Sequence, residues 1–228
     1  MSNGLVRTFL LGLAVSGAAI SSAQLATFHS GNGGGSTDSQ ITATPGDITQ
    51  DFHQLVSQDF TNARTGPSAY ILSPLAAGWV SDLGDGSGAR WVGLEARAGD
   101  NSTHSESGLY AIDFNLASSA SDAALNLRFS VDDQLGGVNN EGLFLDGHAI
   151  AGSRSQTDWN NQIEDKHFFL GSLAAGTHTL YFDVVNSGNG PAGIIFNGDI
   201  QAVPEPAPMA ALGFGALGIV LRRRSKRA

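Results

Sequence analysis

"LYAIDFNL", residues 109–116, sets Tyr110, Ile112, Phe114 and Leu116 against Ala111, Asp113 and Asn115. Large apolar side chains at every second position fit a strand, whose successive side chains leave opposite faces, and do not fit a helix with its 3.6-residue turn. "LNLRFSVD", residues 125–132, repeats the pattern with Leu125, Leu127, Phe129 and Val131 against Asn126, Arg128, Ser130 and Asp132. "HTLYFDVV", residues 178–185, repeats it through Leu180, Phe182 and Val184. Each run has one apolar face, which must be covered by other sheet surface.

Shorter runs, "ATFHS", "AYIL", "RWVGLEAR", "GLFLDGHAI", "KHFFLG" and "AGIIFNGDI", read as further strands. Turn clusters such as "GNGGGS", "GDGSG" and "NSGNG" separate them. No stretch between residues 24 and 202 shows a long helical repeat. The expectation is an all-β fold, a β-sandwich or jelly roll, with residues 24–202 as one domain. Residues 24–76 would supply its opening strands, and "FHSGNGGGSTDSQ", residues 28–40, would be a loop.

The flanks have a different character. Residues 1–23 read as a signal peptide: Arg7 is the positive region, "FLLGLAVSGAAI" the apolar core, and "SSA" puts small residues before a cut at Gln24. The alternative, an uncleaved anchor, has an apolar stretch short for a hydrocarbon core of ~30 Å. Export through the Sec machinery and cleavage by signal peptidase follow from the first reading. The chain has no cysteine, so neither disulfides nor thiolate metal sites can support it. Residues 1–23 and 204–228 hold six of the twelve cations and one of the twenty-one carboxylates. The part between them is therefore strongly acidic, which excludes nucleic acid as a partner because its phosphates would be repelled.

Residues 203–228 close the chain with three elements in order: Pro204-Glu205-Pro206, an apolar stretch at 209–221, and "RRRSKR" at 222–227. Thirteen residues of helix reach only about 20 Å, a weak transmembrane helix completed by snorkelling arginines. Arg222, Arg223, Arg224, Lys226 and Arg227 resist translocation and would hold this end in the cytoplasm. The prolines keep Glu205 in an extended, accessible segment.

This tail resembles the PEP-CTERM sorting signal of exported proteins from Gram-negative bacteria that make exopolysaccharide. The resemblance implies that exosortase recognises Pro204, Glu205 and Pro206, that 209–221 is a transient membrane helix, and that the five basic residues retain it. It places the domain outside the inner membrane, then on the cell surface or outside the cell. A plain tail anchor with a chance Pro-Glu-Pro is the alternative. The strand order over residues 77–202 also resembles the galactose-binding-like jelly rolls found before such tails.

Motifs for catalysis are missing from the sequence: it has no G-x-S-x-G, no H-E-x-x-H and no P-loop. The histidines, His29, His53, His104, His148, His167 and His178, never fall at close ligand spacing. Asp132 and Asp133, followed by "QLGGVNNEG", offer the oxygen ligands calcium takes, and Asp82, Asp85, Asp100 and Asn101 form a second oxygen-rich region. Gly84 and Gly86 break the EF-hand pattern after Asp82. Asx-turns at strand ends are the competing reading, and no cofactor is required. A sugar site needs an aromatic face with polar neighbours. Trp159, flanked by Arg154, Asp158 and Asn160, is the candidate, against a Trp that caps the sandwich; Trp79 and Trp91 read as core. The expectation is a non-catalytic structural or glycan-binding protein of the cell surface or extracellular matrix, with exopolysaccharide as the candidate partner. The alternatives are a polysaccharide-active hydrolase and a calcium-dependent adhesin without a sugar site.

Overall fold

The computed structural model describes residues 22–45, 54–97, 107–155, 162–186 and 190–202. In chain order its elements are β1 (Ala23–His29), β2 (Thr37–Pro45), α1 (Ser57–Thr65), β3 (Ser68–Ile71), β4 (Val92–Gly93), β5 (Gly108–Leu116) and β6 (Ala120–Asp132). There follow β7 (Gln134–Leu135), β8 (Leu143–Leu145), β9 (His148–Ala149), β10 (Glu164–Leu173), β11 (Gly176–Val185) and β12 (Gly193–Ala202). The strands pair antiparallel in the order β10-β6-β12-β4-β3-β2-β5-β11-β8-β9, with β1 on β12 and β7 on β11.

This sheet curls onto itself. β4, β3, β2 and β5 lie between β12 and β11 in the order, yet the rings of Phe182 on β11 and Phe196 on β12 stack with centroids 4.2 Å apart. Phe28 on β1 likewise meets Phe114 on β5 at 5.6 Å. One layer thus holds β10, β6, β12 and β1, and the other holds β2, β5, β11 and β8. Ile41, Ile112, Leu125, Leu127, Phe129, Phe182 and Phe196 fill the space between them and are almost wholly buried. Burying each such side chain contributes about 1.5–3 kcal/mol.

The alternation in the three long runs points its large residues inward as expected: Tyr110, Ile112, Phe114 and Leu116 are all buried, while Asp113 and Asn115 are exposed. Ala111 departs from the pattern and is buried as well. α1 is the cause. Its Phe60 and Ala63 pack on Leu109, Ala111, Phe144 and Tyr181, covering the outer face of β5 and β11. This helix falls in a stretch with no long apolar repeat; Val56 N–H donates to Asp59 Oδ2 at 2.8 Å to satisfy its first turn. The stretch at 28–40 is only partly loop. Phe28 and His29 belong to β1, and residues 37–40 open β2. Asp38 determines that turn, since its carboxylate accepts from the backbone N–H groups of Gly31, Asn32, Gln40 and Ile41.

Among the described residues no helix is long and apolar enough to cross a membrane. Of the segment 1–23, residues 1–21 lie outside the described residues, as does the apolar run at 209–221, while Ala23 opens β1.

Candidate functional site

The curl leaves a seam between β10, one end of the strand order, and the β8–β9 hairpin, the other end. A groove of about 740 Å³ follows this seam. Asp146 and Gly147 make the two-residue turn of the β8–β9 hairpin with φ 52° and 80°, a left-handed pair of the kind that matches strand twist. "Asp-Gly" between Leu145 and His148 supplies the chemistry for it. On the other wall, Phe168 and Phe169 are adjacent in a strand and must point to opposite faces. Phe168 is buried, and Phe169 is 64% exposed in the groove.

Polar groups surround that ring. His167 Nδ1 lies 2.7 Å from Asn126 Oδ1, and His148 and Ser172 also line the groove. His178 stands with Nδ1 2.7 Å from Asp146 Oδ2 and Nε2 2.9 Å from the Ala174 carbonyl. Burial opposes its charge, but the Ala174 carbonyl and the Asp146 carboxylate outweigh that and raise its pKa above the ordinary histidine value. Asp146 Oδ1 accepts from Thr179 N–H at 2.9 Å, and Thr179 Oγ1 donates to Asp113 Oδ1 at 2.6 Å. Asp113 in turn pairs with Arg64 of α1 at 3.0 Å. This chain of contacts fixes the hairpin and borders a second groove, of about 480 Å³, lined by Phe60, Arg64, His148 and Tyr181.

The sequence pointed elsewhere for a ligand. Trp159, Asp158 and Asn160 lie outside the described residues, as do Pro204, Glu205, Pro206 and the basic residues that follow. Arg154 is exposed, with Nη1 3.4 Å from the Val138 carbonyl, and does not line either groove. Trp91 is core, as expected, and Trp79 stacks on it with centroids 4.0 Å apart. Trp79 Nε1–H donates to Asp132 Oδ2 at 2.7 Å. Burial first, and then the neighbouring Asp133, push the Asp132 carboxyl up to about 7.

Asp132 and Asp133 sit together at the end of β6, but among the described residues no three His, Asp or Glu side chains gather to hold a metal. Asp82 and Asp85 form Asx-turns, accepting from Gly84 N–H at 2.7 Å and Ser87 N–H at 2.9 Å. Asp100 and Asn101 lie outside the described residues.

The match to known families falls on the tail. Residues 202–224 match the PEP-CTERM protein-sorting motif. The chain therefore carries the sorting signal of an exported, transiently membrane-anchored protein that exosortase processes. The motif begins on Ala202, the last residue of β12. No curated protein matches the chain. Among solved structures, a family 35 carbohydrate-binding module from Clostridium thermocellum is similar over 51% of this chain and 81% of its own, at 11% identity and a TM-score of 0.32. An exo-β-1,3-galactanase from Phanerochaete chrysosporium is similar over 45% of this chain and 24% of its own, at 14% identity and a TM-score of 0.26. The catalytic unit of an α-1,3-glucanase from Streptomyces thermodiastaticus is similar over 51% and 24%, at 13% identity and a TM-score of 0.26.

Proposed function

We propose that this chain is an exported surface or extracellular-matrix protein, released from its membrane tail by exosortase, whose jelly-roll domain binds exopolysaccharide without cleaving it. The observation that carries the reading is the sorting motif at 202–224, placed directly after the last strand of a curled β-domain. A domain followed at once by a removable anchor is built to be delivered outside the cell.

The seam groove supplies the glycan half. An exposed phenyl ring offers its face to the apolar side of a pyranose, and His148, His167, Asp146 and Ser172 offer donors and acceptors for hydroxyls. Among the described residues, Asp146 is the one carboxylate that lines the groove. Most glycosidases need two carboxyl groups across the scissile bond, so this lining favours binding over hydrolysis. A calcium-dependent adhesin has less support. Asp132 commits one oxygen to Trp79, and among the described residues no three His, Asp or Glu side chains gather to hold a metal.

The test is binding of exopolysaccharide purified from the producing cells, by native protein and by Phe169→Ala. Saturable binding that falls at least tenfold in the variant, with no new reducing ends released, is expected. Release of reducing ends would establish a hydrolase, and equal binding by the two proteins would remove the groove from the account.

A further inference from the structure

β1 and β12 run antiparallel with Ala23 opposite Ala202 and Gln24 opposite Gln201. The chain therefore enters the domain beside the point where it leaves for the sorting tail. Two turns that cross between the layers lie at this same end. β6 begins at Ala120, directly after the end of β5, and its Ala123 and Ala124 pair with Ala202 and Gln201. β10 ends at Leu173 opposite Ala120, and residues 174–175 lead into β11.

The composition of this end is unlike the rest of the molecule. Besides Gln24, residues 117–122, 172–177 and 201–202 read ASSASD, SLAAGT and QA. Among them Asp122 is the one charged residue, in a chain of net charge −9. Asp132 and Asp133 stand at the far end of β6. β12 has ten residues, so the two ends are separated by about 30 Å at ~3.3 Å per residue.

From this geometry we infer that the Ala23–Ala202 end is the membrane-facing surface of the domain while the tail is anchored, with the lipid headgroups as its partner. The inference rests on the sorting reading of the tail. Six residues, 203–208, separate Ala202 from the apolar run. Fully extended they reach roughly 20 Å, and the headgroup layer takes up about 5–8 Å of that. The tether is too short for the domain to turn its other end to the bilayer. Two carboxylates stand at or beside this end, Asp122 and Asp146, the second of them in contact with His178 next to Ala174, while the adjacent pair Asp132 and Asp133 is held away from the headgroups.

The absence of cysteine allows single labels. Ser118→Cys marks the turn between β5 and β6. Val138→Cys marks the loop after β7, a strand that pairs with Val184 and Val185 near the opposite end. Each chain, in its mature form from Gln24 to Ala228, carries a fluorophore and is reconstituted into phosphatidylethanolamine–phosphatidylglycerol vesicles with nitroxide on the headgroups. The melting temperatures of both labelled proteins are matched to the unlabelled chain beforehand. Several-fold stronger quenching at position 118 than at 138 is expected. Equal quenching, or stronger quenching at 138, in protein that floats with the vesicles would overturn the orientation. Protein that does not float with the vesicles would instead overturn the anchor reading on which the orientation rests.

Discussion

His178 on β11 and Asp146 in the β8–β9 turn are joined by a contact of 2.7 Å, and the other ring nitrogen of His178 faces the Ala174 carbonyl at 2.9 Å. Both ring nitrogens thus meet acceptors. Only the imidazolium, with two N–H donors, satisfies both at once.

A pH dependence follows, and its sign is determined by the raised pKa of His178. The folded state holds the proton more tightly than the unfolded chain. The stabilisation is complete below the unfolded value of about 6.5 and is lost as the pH rises through the higher folded value. Thermal melts from pH 5.5 to 9 should show this loss in the native protein and a flatter profile in His178→Gln. Parallel profiles for the two proteins would contradict it.

Asp132 gives a second slope of the same sign. Its carboxyl is pushed up to about 7 by burial and by Asp133, so its contribution is full below the ordinary aspartate value of about 3.9 and is lost as the pH rises through about 7. Asp132→Asn keeps an oxygen for Trp79 Nε1–H and carries no charge. The variant should lose this slope and at pH 8 be at least as stable as the native protein. A tryptophan-fluorescence titration should show a transition near pH 7 in the native protein and none there in the variant. A variant clearly less stable at pH 8 would mean that the charged carboxylate stabilises the fold.

Phe182 and Phe196 stack between the layers and are almost wholly buried. Phe182→Ala removes a contact that exists only because the sheet curls, and should cost about 3–5 kcal/mol. Chemical denaturation measures it; a loss below about 1 kcal/mol would mean that the two layers do not pack on one another there.

Much of the fold was legible because burial on one face of a strand writes itself as alternation. Tyr110, Ile112, Phe114 and Leu116 are buried where that pattern put them. α1 was not legible, because a nine-residue helix that covers Ala111 and Tyr181 needs only Phe60 and Ala63 on its inner face. Two apolar residues make no periodic signal. The groove was hidden for another reason: β10 and the β8–β9 hairpin meet through the curl and not through neighbouring sequence. A partial clue was present in Phe168-Phe169, since adjacent large residues in a strand cannot both face one core. The sorting motif was fully legible, being a linear signal read in sequence order.

Removal of the tail is tested by the intact mass of the protein recovered from cells with a working exosortase, beside that of Glu205→Ala. Native protein is expected to have lost residues 222–228 together with the apolar run, and the variant to retain them. Native protein that keeps Arg222 to Ala228, or a variant processed like the native chain, would contradict that expectation.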